Sequence, residues 1–292
     1  MSRRAEHPAV SRWRVRHALR QARDAKDLTQ TQVAEAMEWS LSKVQRIELG
    51  EVNVSATDLR SVLDLFGITD PETIGRLLEE ARISRRERWV VDADLREQLT
   101  ANSVQLLQFE AVADSVDWFQ TYVLPGVLQT PGYTEAVLRD FDADLPDNRL
   151  KVHLDARAQR RRDALEAADP PQLRIVLYEP ILMMNVGGVE VMAEQLNDLA
   201  RTAARGNVDL RVLPLAEGLL AGIGSFGLLG LNSGVFAGEV LYRELAETDY
   251  IDDDLEVVKL HRKVFTRAWA HSLSEEKSVK RIIAEAAALE AL

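Results

Sequence analysis

The chain has 292 residues, 46% of them hydrophobic, with a net charge of −11 and no cysteine. That length fits about two domains with a substantial core, and the lack of cysteine rules out a disulfide framework and cysteine-based zinc or redox chemistry. No stretch approaches the roughly 20 apolar residues of a membrane span, and the opening MSRRAEHPAV has arginines without the apolar core of a signal peptide. The expectation is a cytoplasmic protein with no membrane partner.

A first helix is predicted from about Ser11 to Ala25, with Trp13, Val15, Ala18, Leu19 and Ala22 available for a core. The stretch from Leu28 to Gly50, LTQTQVAEAMEWSLSKVQRIELG, reads as two short helices joined by a tight turn. Thr29 and Gln32 have the spacing of a capping box, and Leu28 and Val33 could form the hydrophobic staple beside it. Val33, Ala34 and Met37 give one apolar face, and Val44 and Ile47 give the next helix a matching one. Ser40, Ser42, Lys43, Gln45 and Arg46 fall on the wet side. Such side chains reach base edges or phosphates, as a recognition helix in the major groove of double-stranded DNA requires.

Charge is divided along the chain. Residues 1–50 hold ten Lys/Arg against six Asp/Glu, a balance of +4 that leaves −15 for the remainder. A basic head on an acidic body fits a small DNA-reading module attached to something else. Arg12, Arg14, Arg16, Arg20 and Arg23 equally fit the solvated face of a first helix.

After Gly50, residues 51–54 are predicted as a loop, with Ser55 as N-cap of a fourth helix and Asp58 near its positive end. Leu59, Val62, Leu63 and Phe66 make its buried stripe, and Gly67 is its stop. Asp70 and Pro71 open a fifth helix that continues toward Arg88 and Trp89. Beyond it, Leu99 to Tyr122 reads as helical up to the turn phrase LPGVLQTPGY, residues 124–133. A charged helix is predicted over Lys151–Ala168, a strand over Leu173–Glu179 and a helix over Val189–Ala204. Val208–Leu215, Phe226–Leu231 and Glu239–Glu244 are further strands, and two final helices cover Asp254–His271 and Ser274–Leu289. The predicted architecture is a mainly α head of five helices over residues 1–90, its last helix a connector, and an α+β domain over 91–292 with about four strands.

These phrases carry a family resemblance. LTQTQVAEAM, WSLSKVQRIELG and the Ser55–Phe66 helix resemble the head of Xre/Cro-type helix-turn-helix regulators in order and spacing. FEAVADSVDWFQTYVLPGVLQTPGY (Phe109–Tyr133), YEPILMMNVGG (Tyr178–Gly188), EQLNDLA (Glu194–Ala200) and VDLRVLPLAEG (Val208–Gly218) resemble the C-terminal domain of actinobacterial regulators of the WhiJ-like type. The resemblance covers nearly the whole chain and implies a transcriptional regulator whose C-terminal domain has no agreed biochemical activity. It implies phosphate contacts for Thr29 and Gln30, and base or adjacent phosphate contacts for Leu41, Ser42, Lys43, Gln45 and Arg46. Arg46 would take a guanine, worth on the order of 1–3 kcal/mol of discrimination, and Leu41 a thymine methyl. It also implies an ion pair between Arg23 and Glu48, read as structural. Two residues depart from the family pattern: Asp27 and Glu38 stand where glycine is usual, and a distorted turn at Glu38 would tilt the recognition helix.

For the body, Glu110, His153, Glu179 and His261 are candidate acids and bases, but none falls in a recognisable catalytic phrase. No G-x-S-x-G, H-E-x-x-H or phosphate-binding glycine loop appears. The expectation is no catalysis, no metal and no cofactor. Asp163 and Glu166 beside Arg160–Arg162 read as a solvated face, and Asp252–Asp254 as a helix cap in preference to a cation site. Trp118, Phe119, Tyr122, Leu124, Val127, Leu128 and Tyr133 gather around the LPGVLQTPGY turn. That cluster is a core or, with Trp118, Tyr122, Leu124, Leu128 and Tyr133 as candidates, a site for a ligand or partner. Helix-turn-helix readers bind as dimers at half-sites about one DNA turn apart, so a homodimer is expected. A small-molecule ligand or, as the family resemblance implies, a small protein encoded nearby would supply the signal. Two rival readings are a metabolite sensor that releases DNA and a protein-interaction module that binds none.

Overall fold

The computed structural model describes residues 7–85, 99–218, 224–231, 237–244 and 249–291, and the chain divides into two compact units. The first holds five helices: α1 (Pro8–Ala25), α2 (Gln30–Ala36), α3 (Leu41–Leu49), α4 (Ala56–Leu65) and α5 (Pro71–Ile83). Proline at the first position starts α1 at Pro8, three residues before the expected Ser11, because its fixed φ and missing N–H suit that place. Thr29 and Gln32 close a reciprocal capping box on α2, and Ser40, Ser55 and Asp70 cap the next three helices. Helix α5 ends at Ile83, short of the expected run; Arg88 and Trp89 lie outside the described residues.

One core joins these helices. Val15, Ala18 and Leu19 of α1 meet Val33, Ala34, Val44, Ile47, Leu59, Val62, Leu63 and Leu77. The arginines of α1 prove to be ties within this unit. Arg14 pairs with Glu80 at 2.7 Å and Arg12 donates to the Ser84 carbonyl at 3.3 Å. Arg16 donates to the Leu49 carbonyl at 2.7 Å and Arg20 to that of Glu48, filling carbonyls that the end of α3 leaves without helical partners. Gly50 closes α3 with φ of +75°, and a Cβ there would meet Arg16 Nη1 at 2.2 Å. The left-handed turn is what favours glycine here, since the end of the arginine side chain can swing aside.

The second unit contains α6 (Ala101–Glu110), β1 (Ser115–Gln120), α7 (Pro131–Phe141), α8 (Asp147–Leu165), β2 (Gln172–Tyr178), α9 (Val189–Thr202), β3 (Val208–Leu213), β4 (Phe226–Leu231), β5 (Gly238–Glu244), β6 (Asp249–Asp252), α10 (Leu255–His271) and α11 (Glu275–Glu290). Its described strands form a six-stranded sheet in the order β3-β2-β1-β4-β5-β6. β1, β2 and β3 run parallel, while β4, β5 and β6 pair antiparallel. Phe119, Val176, Phe226, Leu228 and Leu241 pack under Val258, Val264, Phe265 and Ala268 of α10. Trp118, Ile175 and Leu177 alternate with them and are buried on the other face, as the two-residue period of a strand dictates. Gly227 lies opposite Trp118, where a Cβ would come within 2.6 Å of the indole ring.

The fold class is therefore a helical N-terminal region followed by an α+β region. Two expectations are corrected. Residues 99–122 do not form one helix: α6 stops at Glu110 and β1 follows from Ser115. The sheet has six strands instead of about four, with β1 and β6 added.

Candidate nucleic-acid interface

The helix pair α2–α3 is built by its caps and by one apolar stripe. Ser40 accepts from the Lys43 N–H at 3.2 Å and starts α3 beside a half-buried Trp39. Val44, Ile47 and Glu48 then point inward, at the spacing that puts residues on one helix face. Leu41, Ser42, Gln45 and Arg46 are left exposed, along with Ser40 before them, while Lys43 is half-buried. Thr29 is exposed and Gln30 half-buried at the start of α2. The structure thus gathers most of the sequence-derived residues on the exposed side of one short helix.

Besides the caps at Thr29 and Ser40, three of the polar residues reach side chains outside their own helices. Gln30 Nε2 donates to Glu48 Oε2 at 2.8 Å. Lys43 Nζ lies 3.0 Å from Asp58 Oδ2 and 3.9 Å from the centre of the Trp39 ring. Arg46 Nε is 3.4 Å from Glu51 Oε2 in a more open pair. Asp58 was expected only as a favourable charge in the first turn of α4, and Glu51 only as part of a loop. Asp58, Glu51 and Trp39 reach side chains of α3 through packing that sequence spacing does not reveal.

Both glycine substitutions keep the glycine conformation. Asp27 has φ of +52° and Glu38 of +55°. Each turn closes with a bond five residues back, Leu28 N to the Arg23 carbonyl at 3.2 Å and Trp39 N to the Ala34 carbonyl at 2.8 Å. The α2–α3 turn is thus intact, with some strain at a side chain that disfavours it.

In the second unit, Trp118, Leu124, Leu128 and Tyr133 are buried and Tyr122 is exposed. Around them the LPGVLQTPGY turn is held by amides. Gln195 accepts from Thr130 N at 2.7 Å and donates to the Leu128 carbonyl at 2.9 Å. Gln129 donates to the Leu124 carbonyl at 2.7 Å and accepts from Thr134 at 3.1 Å and from Arg157. Burial pushes the Tyr133 phenol above its ordinary pKa.

The candidate acids and bases are dispersed. Glu110 forms a two-point pair with Arg160 at 2.7 and 2.8 Å. Glu179 accepts from Leu215 N at 2.7 Å and pairs with Arg281 at 3.2 Å. His261 is buried on α10, with Nδ1 2.7 Å from the Val257 carbonyl oxygen and its ring edge-on to Phe226. His153 lies on α8 between Arg149 and Arg157. Asp254 caps α10, accepting from Glu256 N at 3.0 Å and Val257 N at 3.1 Å. Arg162, Asp163 and Glu166 are exposed, as a solvated face requires, while Arg160 and Arg161 are half-buried in ion pairs, Arg161 with Asp198 at 2.6 Å. Among the described residues, no group of three or more His, Asp or Glu could hold a metal ion. Nor is any described helix long and apolar enough to cross a membrane.

No curated protein and no solved structure matches the chain. A family described as "Helix-turn-helix domain" matches residues 14–77, which contain α2, α3 and α4. A helix-turn-helix domain suggests DNA binding and, with it, transcription regulation. A second family, described as "Domain of unknown function (DUF5753)", matches residues 104–284, more than half of the chain and most of the second unit. The chain belongs to the DUF5753 family, with a helix-turn-helix domain at its N-terminal end.

Proposed function

We propose that this chain is a sequence-specific transcriptional regulator of the Xre/Cro type, close to the WhiJ-like regulators, in which residues 40–49 read the major groove of double-stranded DNA. The observation that carries this is the division of α3. Val44 and Ile47 anchor it in the core, while Leu41, Ser42, Gln45 and Arg46 are exposed in a row with Lys43 at their edge. In this reading Thr29 and Gln30 lie against the backbone, Ser40 flanks it, and the others meet base edges or adjacent phosphates. Residues 1–90 are the DNA-binding domain with its connector, and residues 91–292 serve dimerisation and the sensing of a ligand or partner protein. The protein works in the cytoplasm, without catalysis, as a homodimer.

Selection from a pool of random duplexes tests this. Convergence on one motif with two related half-sites supports the reading; recovery of unenriched sequences at every salt concentration overturns it. The dispersal of Glu110, Glu179 and His261 favours a binding role for the second unit over an enzymatic one.

A further inference from the structure

We infer that Trp39 and Asp58 form a clamp on Lys43 that sets sequence discrimination, an inference that rests on the DNA-binding reading above. A lysine is a flexible point charge with three donors. Left free beside DNA, it neutralises whichever phosphate is nearest, which strengthens binding to every sequence alike. Discrimination needs a donor held in one place.

The surroundings of Lys43 hold it. Its ammonium lies over the Trp39 ring at 3.9 Å and against Asp58 Oδ2 at 3.0 Å. Both partners come from outside α3. Trp39 is packed partly into the core, so the ring under the ammonium is itself fixed. Asp58 sits in the first turn of α4, its backbone N–H held by Ser55 Oγ at 2.9 Å. An indole face attracts a cation, and the carboxylate fixes the direction in which it points. The carboxylate also cancels most of the charge that distant phosphates would feel. Arg46 is built differently: its pair with Glu51 is longer, at 3.4 Å, and both side chains are more than half exposed. Lys43 is the positioned cation of the reading face and Arg46 the mobile one.

The test compares the wild type with Asp58→Asn and Asp64→Asn by fluorescence anisotropy across a salt series. Asp64 is exposed on the same helix and controls for the loss of one negative charge. The duplexes are the sequence that the wild type selects from a random pool and a scrambled version of it; circular dichroism confirms folding. For Asp58→Asn we expect binding to the scrambled duplex to tighten about threefold or more, with a salt slope steeper by about 0.9 as one more phosphate is neutralised. Binding to the selected duplex changes less, so the preference falls. Asp64→Asn shifts both duplexes by one common factor. An Asp58→Asn variant that keeps the wild-type preference, or behaves as Asp64→Asn does, overturns the clamp while leaving the DNA-binding reading intact. A wild type that selects no sequence overturns both.

Discussion

Arg23 of α1 and Glu48 of α3 meet through two parallel hydrogen bonds, Nε to Oε1 at 2.7 Å and Nη2 to Oε2 at 3.2 Å. The same carboxylate takes the Gln30 amide of α2, and Arg23 Nη1 donates to the Leu28 carbonyl at 2.9 Å. Three helices are tied at one buried carboxylate. Burial works against the guanidinium charge, but the hydrogen bonds and charges of Glu48 and then Asp24 outweigh it and raise the Arg23 pKa above its ordinary value. Glu48→Gln removes the buried carboxylate of that cation and leaves it only the exposed Asp24, 2.7 Å from Nη1. We expect a loss of about 2 kcal/mol in the stability of the first unit, read as a lower chemical denaturation midpoint, with weaker DNA binding as α2 and α3 loosen.

Glu38 takes φ of +55° in the turn between α2 and α3. A left-handed backbone costs a residue with a Cβ about 1–2 kcal/mol, and glycine almost nothing. Glu38→Gly is expected to stabilise the protein by about 1 kcal/mol, seen as a higher thermal midpoint with unchanged DNA sequence preference. A lower midpoint would show that the turn is not strained.

How legible these features were depended on how local their causes are. Helices α2 to α5 announce themselves through caps at Thr29, Ser40, Ser55 and Asp70, each acting within three residues of itself. β1 was hidden for two reasons. Five of its six residues are buried, the polar Asp117 and Gln120 among them, so polarity does not follow exposure as it does in a half-exposed strand. The turn before it, Ala111 to Asp114, contains neither glycine nor proline, so nothing in the sequence separates helix from strand. β6 is four residues long and rich in aspartate, which reads as helix-capping sequence. At the interface, α3 was legible because caps and periodicity are local. The pairing of Lys43 with Asp58 was not, since it depends on how α4 packs against α3.

Gln195 lies fully buried on α9 and serves the LPGVLQTPGY turn at two backbone groups, Thr130 N and the Leu128 carbonyl. Gln195→Leu would keep the volume and leave both groups unsatisfied. At 1–3 kcal/mol for each, the second unit should lose about 3 kcal/mol, measured by urea denaturation. A loss below about 1 kcal/mol would mean that the turn finds other partners.

His153 is expected to make stability sensitive to mild acid. Burial, then the charges of Arg157 and Arg149 one helical turn away on either side, lower its pKa from the ordinary 6.5. The unfolded chain takes up this proton as pH falls through 6.5, while the folded protein resists until lower pH. In that window the unfolded state binds more protons, so stability falls as pH falls. Burial and the charge of Arg14 lower His7 in the same direction. Thermal midpoints should drop between pH 7.5 and 5, and His153→Gln should show a smaller drop than the wild type.

In the proposed mode of binding, α3 lies in the major groove with Leu41, Ser42, Gln45 and Arg46 facing the bases. Methylation interference on the selected duplex tests it most directly, because dimethyl sulfate marks guanine N7 in the major groove and adenine N3 in the minor groove. N7 methylation is expected to block binding at defined guanines in each half-site, and Arg46→Ala to remove the effect at one of them. Interference confined to adenine N3 would contradict it.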